Sequence, residues 1–506
     1  MTSRPLRLQL ALAKILVFIV LIFALVCLRS FETLSFSNPR ESTMTSSEVY
    51  RKKIRGIAGL DLNVLPGDER IDALMQKYLR RLRSALPKHR RATGRVPGAA
   101  IAVRKGSKVV HVKGYGCANL ETGENITPET VFDLGSVSKQ FTAFAALSIF
   151  SAAELETPIS KFFRGFPRYA DKIKIKHLIH HTSALPDYID LHVAARLAAE
   201  GWYARVMRRP DDWYPQMPRR KKAKELTNRD VLKLVALQRL LPRDPDVNFD
   251  YSNTGYVLLA EIVRRKTKQR LSKYLKENVF DVVGMDSTYV FDETSKFSKK
   301  APELLRHARC YNPVKDKGFV SVGYSPMNFV YGDGNIHSTI LDMAKWDHYL
   351  STLDRRTICE SDAKGKKPAV DARNMLWEPA KLLHQKQEEY GAGWYLLHNK
   401  YTDKVKAKNG RKVTKTFKSR AEYHRGEWLA WENYIARAQK WMLPAKGKPV
   451  DPETWESIGI VVLTNNTAPA THREFYPCAL AKQIAQLYWG HFTEDNIING
   501  VNCALA

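Results

Sequence analysis

Residues 131–150 read VFDLGSVSKQFTAFAALSIF, a short β-type run, a turn at Gly135 and then a segment apolar enough to be a buried helix. Ser136 and Lys139 stand three apart in the first turn of that helix, so their side chains share a face. The positive potential of a helix N-terminus disfavours an ammonium ion, and burial disfavours it further. A neutral Lys139 beside Ser136 can take the hydroxyl proton and turn the serine into a nucleophile. Spacing alone does not decide this. Ser361-Asp362-Ala363-Lys364 has the same spacing but lies in a polar Gly/Lys loop with no helix behind it, and it reads as chance.

Two further elements extend outward from this one. Tyr251-Ser252-Asn253 opens the apolar segment NFDYSNTGYVLLAEIV (248–263) and is the one Tyr-x-Asn in the chain. A tyrosine beside a lysine cation is expected to have a lowered pKa and to relay a proton to a leaving group. The Asn253 amide can orient Lys139 or a substrate carbonyl. By themselves the two residues read as well as a buried structural tyrosine and an N-capping asparagine. His424-Arg425-Gly426 lies in AEYHRGEWLAWENYIARA (421–438), where a glycine inside a strand pattern admits close approach of another backbone or a ligand. The backbone N–H of Glu427, with that of Ser136, would then form a two-donor oxyanion hole. A lone strand histidine is otherwise a structural residue.

The frame around these elements follows from periodicity. VPGAAIAVRKGSKVVHVKGYG (96–116) reads as a β-hairpin and IGIVVLTNN (458–466) as a buried strand, followed by an amphipathic segment over 475–489. One sheet assembled from both ends of the domain, with a helical middle inserted as a second lobe, satisfies this order. Residues 71–86 space Ile71, Leu74, Met75, Tyr78, Leu79 and Leu82 on one helical face and carry a basic opposite face. Segments 201–225, 360–370 and 441–455 read as surface insertions. The RRKKAK run (219–224) and the 404–420 stretch, with eight Lys/Arg, read as solvated loops. His177, His180 and His181 sit among apolar partners and read as packing residues, so no metal is expected.

With 506 residues, 44% hydrophobic, the chain can bury a large core, which excludes disordered, collagen-like and disulfide-knot classes. Its 81 Lys plus Arg against 52 Asp plus Glu attract anions, whether phosphate, anionic lipid or an acidic cell-wall polymer. No nucleic-acid recognition motif accompanies that charge, so a nucleic-acid partner is not expected. The six cysteines, Cys27, Cys117, Cys310, Cys359, Cys478 and Cys503, have neither zinc-site nor disulfide-framework spacing. Residues 15–28, ILVFIVLIFALVCL, follow Arg4, Arg7 and Lys14 and lack a small-residue cleavage site after them. They read as an uncleaved membrane anchor with the bulk of the chain exported, or as a signal peptide whose cleavage would leave a secreted protein. The expected organisation is anchor or signal (1–30), stalk (31–69), catalytic domain (70–490) and tail (491–506).

The three elements, in this order and inside the phrases GYGCANLETGENITPETVFDLGSVSKQFTA, KIKIKHLIHHTSALPDY, FDYSNTGYVLLAEIV, GDGNIHSTILDMAKWDHYL, YGAGWYLL and GIVVLTNN, resemble the serine β-lactamase and penicillin-binding-protein superfamily. The nearest likeness is to the class C β-lactamase-like serine hydrolases, which include D-aminopeptidases and carboxylesterases. The resemblance implies an α+β fold, an antiparallel β-sheet flanked by helices plus an all-helical lobe, with the active site between them and no cofactor. It implies Ser136 as acylated nucleophile, Lys139 as proton acceptor and Tyr251 as acid/base partner. Asn253 joins the polar lining, and His424 and Gly426 stand where many relatives have Lys-Thr-Gly. Arg425 is the candidate for binding a substrate carboxylate, and Glu427 replaces a small residue at the rim. Ala184 replaces a usual glycine, and Pro245-Asp246 stands where Pro-Gly is usual. The implied substrates are D-amino-acid peptides, β-lactams or esters, including cell-wall-derived peptides. Two alternatives are a carboxylesterase or acyltransferase on small or lipid esters, and a silent member that binds peptidoglycan or scaffolds a partner.

Overall fold

A computed structural model describes residues 67–88, 93–191, 226–293, 307–322, 329–360, 376–379, 389–406, 411–444, 450–467 and 476–488. The chain divides into two units, Met1–Lys53 and Ile54–Ala506, and all described residues belong to the second. The anchor, the stalk up to residue 66, the Ser361–Lys364 pattern and the 219–224 run therefore lie outside the described residues, while the last stalk positions, 67–69, lead into the first helix. Among those described, no helix is long and apolar enough to cross a membrane.

In chain order the strands are β1 (Ala99–Lys105), β2 (Lys108–Tyr115), β3 (Val131–Asp133), β4 (Tyr289–Val290), β5 (Cys310–Val314), β6 (Gly318–Val322), β7 (Ile336–Thr339), β8 (Glu389–Tyr390), β9 (Tyr395–Lys406), β10 (Lys412–Trp428), β11 (Trp431–Met442) and β12 (Glu456–Thr464). The helices that build the site and its support are α1 (Glu69–Ser84), α2 (Lys139–Ile149), α3 (Ile175–Ile179), α4 (Asn228–Leu237), α5 (Asn253–Thr267), α6 (Ile340–Glu360) and α7 (Pro477–Tyr488).

The expected hairpin forms β1 and β2, and β12 pairs directly with β1, so the two ends of the domain do build one sheet. The sheet is antiparallel, in the order β2-β1-β12-β11-β10-β9-β8. Strand β1 is buried on both faces up to Lys105, because helices cover the sheet on both sides. On one face Ile71, Met75 and Leu79 of α1 and Leu480 and Ile484 of α7 pack on Val103, Ile460 and Val462. On the other face α6 lies over a charged layer. Asp347 accepts from Arg104 at 2.6 Å and Arg437 at 2.9 Å, and Asp354 accepts from Arg437 at 2.7 Å and Arg420 at 2.8 Å. Gly459 makes room for this layer, since a Cβ there would meet Asp347 Oδ2 at 1.9 Å.

The helical lobe holds α2, α3, α4 and α5. Tyr256 of α5 donates to the Ile179 carbonyl and Tyr169 to that of Val235, both at 2.8 Å, so buried phenols help close two helix ends. Trp346 of α6 donates to Gln140 of α2 at 3.0 Å, which fastens the lobe to the sheet side.

Where it is described, the 404–420 stretch is not a loop. Residues 404–406 end β9 and 412–420 begin β10, in a ladder that runs from Lys406 opposite Lys412 to Tyr395 opposite Tyr423. Asn409-Gly410 between the two strands is a strong hairpin signal, and the density of lysine obscured it.

Candidate active site

Strand β3 ends at Asp133, and the chain turns through a 3₁₀ segment, Gly135–Ser138, before α2 begins at Lys139. Gly135 is required there twice over. Its φ is +53°, and a Cβ would come within 2.8 Å of the Glu427 nitrogen. The buried Asp133 carboxylate accepts the Gly135 N–H at 2.9 Å and holds the turn. In 3₁₀ geometry residues three apart eclipse, which lays Lys139 over Ser136. Gly426 of β10 closes the other side, since a Cβ there would meet the Leu134 carbonyl oxygen at 2.0 Å. The Glu427 amide nitrogen thus lies against the nucleophile turn.

Lys139 is fully buried. Its Nζ lies 2.9 Å from Ser136 Oγ, 2.7 Å from Asn253 Oδ1 and 2.8 Å from the Asp333 carbonyl oxygen. The last two atoms can only accept. A neutral amine has two N–H groups for them and a lone pair left for the Ser136 hydroxyl. Burial is the main cause that pulls Lys139 down to about 8, against the opposing pull of Asp333 and Asp187. Desolvation does the work here; the nucleophile turn itself is 3₁₀ and offers no long helix dipole.

Asn253 is the first residue of α5 and Ser252 its N-cap position, so the asparagine is not the cap. Its own N–H donates to Asp187 Oδ2 at 2.7 Å, and its amide is free to hold Lys139. The Tyr251 ring centroid is 4.9 Å from Lys139 Nζ, and the nearby Ser136 hydroxyl pulls the phenol toward ionisation. The expectation of a lowered tyrosine pKa is overturned. Burial, with Tyr395, Tyr256 and Asp333 adding to it, holds the phenol well above its ordinary value. Tyr251 is therefore a neutral O–H beside the serine, and the buried lysine is the group with the depressed pKa.

His424 is buried, and its Nδ1 is 2.6 Å from the Arg425 carbonyl oxygen, which can only accept. Nδ1 therefore carries the proton, and Nε2 accepts from the Tyr390 hydroxyl at 3.0 Å. Burial, with Lys139 nearby, holds the imidazole down to about 3, so it is neutral. Strand alternation places Arg425 and Glu427 with Tyr434, Tyr476 and Pro477, lining a separate shallow hollow on the α7 side of the sheet. The two side chains form an ion pair there. They are not brought to Ser136; only the Glu427 backbone is.

Several residues here were not singled out from sequence as parts of the site, His181 having been read as packing. Asp333 supplies a carbonyl to Lys139 while its buried carboxylate accepts from Tyr188 at 3.1 Å. Tyr390 and His181 complete an aromatic wall, with His181 centred 4.2 Å from the Tyr251 ring. Asn433 donates to the Asp133 carbonyl at 2.8 Å and fixes β11 to the turn. All of them stand in stretches quoted above, yet only the fold shows which of their polar atoms converge. His177, His180 and His181 each bind backbone: Lys174 N–H, the Tyr390 carbonyl and Ser252 N–H.

The nucleophile-like Ser-Lys pair, the Tyr-x-Asn loop and the glycine-bearing strand define a class of fold and site shared by a known family. The family model described as Beta-lactamase matches residues 69–481, and the chain belongs to that family. Penicillin-binding protein 4* of Bacillus subtilis (strain 168) is 23% identical over 347 residues, 66% of this chain and 66% of that protein. A D-aminopeptidase of Gluconobacter oxydans (strain 621H) is 24% identical over 259 residues, 50% of this chain but 42% of that relative. The chain thus spans less than two thirds of the length of these relatives. Among solved structures, the octameric penicillin-binding protein homologue from Pyrococcus abyssi superposes with a TM-score of 0.54 at 21% identity, covering 85% of this chain and 78% of that one.

Proposed function

We propose that this chain is a serine hydrolase that opens amide or ester bonds through an acyl-enzyme on Ser136. The observation that carries the reading is the contact set of Lys139. A buried amine with two acceptor-only neighbours has its lone pair left for the Ser136 hydroxyl. In the first step Lys139 takes that proton as Ser136 Oγ attacks the carbonyl. The N–H groups of Ser136 and Glu427 receive the oxyanion. Tyr251, a neutral phenol, passes a proton to the leaving amine or alkoxide and regains it from Lys139. Water then attacks the acyl carbonyl and releases the acid with Ser136 regenerated.

The resemblance to a D-aminopeptidase and a penicillin-binding protein favours D-amino-acid peptides, including cell-wall-derived ones, as the substrate class. The apolar run of residues 15–28 favours a membrane-anchored chain with its catalytic domain exported. Cys478 is disulfide-bonded, as suits an oxidising compartment, while Cys117 and Cys310 are free and buried. Intact mass after brief incubation with penicillin and with an activated ester, beside Ser136→Ala, tests the reading. A serine-dependent adduct or turnover is expected, and the preferred reagent separates peptidase-like from esterase-like chemistry. A well-folded protein with neither adduct nor turnover would be the silent family member instead.

A further inference from the structure

Strand β10 begins at Lys412, yet β11 pairs with it only from Phe417, opposite Met442. Among the described residues 412–415 pair with β9 alone, the Thr416 carbonyl still accepting from Leu443 N–H at 2.8 Å, so the β9–β10 ladder runs past the described end of β11 as a two-stranded ribbon. From Lys404 to Arg420 the sequence has eight basic residues and no acidic one. The register sets Lys412 opposite Lys406 and Lys418 opposite Lys400, with Asp403 the one acidic position, opposite Lys415. Like charges directly across a ladder destabilise it, so the fold gains nothing from this pattern. Lys400, Lys412, Lys415 and Lys418 are exposed. The β1–β2 turn adds a third like pair, Lys105 opposite Lys108, at the same end of the sheet. Val413, 36% exposed, and the half-buried Trp441, opposite Lys418, add apolar surface there. Asp451, Glu453 and Glu456 also reach this end, and Glu456 is paired with Lys440 at 3.2 Å.

Helix α1 fixes where the described chain begins relative to this end. Asp68 N–H donates to His111 in mid-β2, Asp72 accepts from Tyr115 at 2.6 Å, and Tyr78 reaches Asn466 at 2.9 Å. Helix α1 therefore runs toward the Ser136 end, with its N-terminus directed back toward the ribbon end. Helix α7 returns antiparallel to it, and Tyr488 donates to Asp68. The first described residues, Gly67 and Asp68, thus lie nearer the ribbon end than the last turn of α1 does.

We propose that the ribbon and the β1–β2 turn form a docking surface for an anionic lipid bilayer, which leaves the Ser136 end facing away from the membrane. Lysines at such a surface gain from the negative potential of the lipid, and an adjacent tryptophan suits the headgroup zone. The inference rests on the membrane-anchored reading, and its test separates the two. The full chain is mixed with vesicles of phosphatidylcholine alone, or with phosphatidylglycerol added to about a third. Flotation is measured, and lysine acylation is mapped by peptide mass spectrometry, with exposed Lys315 and Lys317, beside the far end of α1, as internal controls.

The expected result is acylation about fivefold slower at Lys412, Lys415 and Lys418 in the anionic vesicles only, lost in about 0.5 M salt. Charge reversal of those three lysines, with the fold checked by circular dichroism, should remove the protection of Lys105 and Lys108 as well. Flotation on both vesicles with equal ribbon reactivity would overturn the ribbon and leave the anchor standing. Flotation on anionic vesicles alone, abolished by charge reversal, would support the ribbon and overturn the anchor. Flotation on neither would overturn both. Protection by soluble polyphosphate but not by anionic vesicles would assign the ribbon to an anionic polymer and overturn the lipid proposal.

Discussion

Lys139 carries the chemistry because burial, more than its neighbours, decides its protonation. Its value near 8 means the base form accumulates as pH rises, while His424, held near 3, is neutral throughout the working range. For an activated ester, kcat/KM should therefore rise with pH, reach half its plateau near pH 8 and show no histidine limb. A background-corrected pH profile checks this, and a midpoint near 6.5 would transfer the base role away from Lys139. The stability consequence has the same direction. Between about 8 and the ordinary 10.5 the folded state holds fewer protons than the unfolded chain, so the Lys139 contribution makes the fold more stable as pH climbs through that window.

At the level of elements, the two departures from usual glycines behave differently. Ala184 and Asp246 both adopt the left-handed region, with φ of 56° and 62°. Asp246 is compensated: it accepts from Thr182 Oγ1 at 2.8 Å, and its second oxygen lies 2.9 Å from His177 Nε2. Ala184, buried and without a polar side chain, has no such return. Ala184→Gly should stabilise the protein by about 1 kcal/mol. Asp246→Gly should destabilise it by about 1–2 kcal/mol despite the relaxed backbone. Urea unfolding of the two variants decides the matter, and equal effects of one sign would show that backbone strain, not side-chain bonding, governs both turns.

For the molecule as a whole, α6 is clamped to the sheet by buried charge. Asp354 accepts from both Arg420 and Arg437, and all three side chains are nearly or wholly excluded from solvent. Asp354→Asn would leave two guanidinium groups undercompensated in that layer, and the expected cost is about 3–5 kcal/mol. Thermal unfolding should show a large drop in Tm. Folded protein at low temperature should retain its activity, since Asp354 bonds Arg420, Arg437 and Gln439 and none of the Ser136 site residues, and an activity loss without a Tm change would contradict this account.

Much of the fold and part of the site were legible because their causes are local. A glycine turn before an apolar helix, the alternation of β1 and the apolar run of β12 each state their own geometry. Alternation also carries the separation of His424 and Gly426 from Arg425 and Glu427, once β10 is read as a continuous strand; dense lysine masked that strand's first half. By itself the sequence determined the Ser136-to-Lys139 spacing and the elements that bear Tyr251, Asn253 and Gly426. Only the tertiary structure decided that Tyr251 keeps its proton, that Lys139 readily loses one and that Asp333 stands behind them. Desolvation depends on what lies around a group in space, and Lys139 meets its Asp333 acceptor across 194 residues of chain.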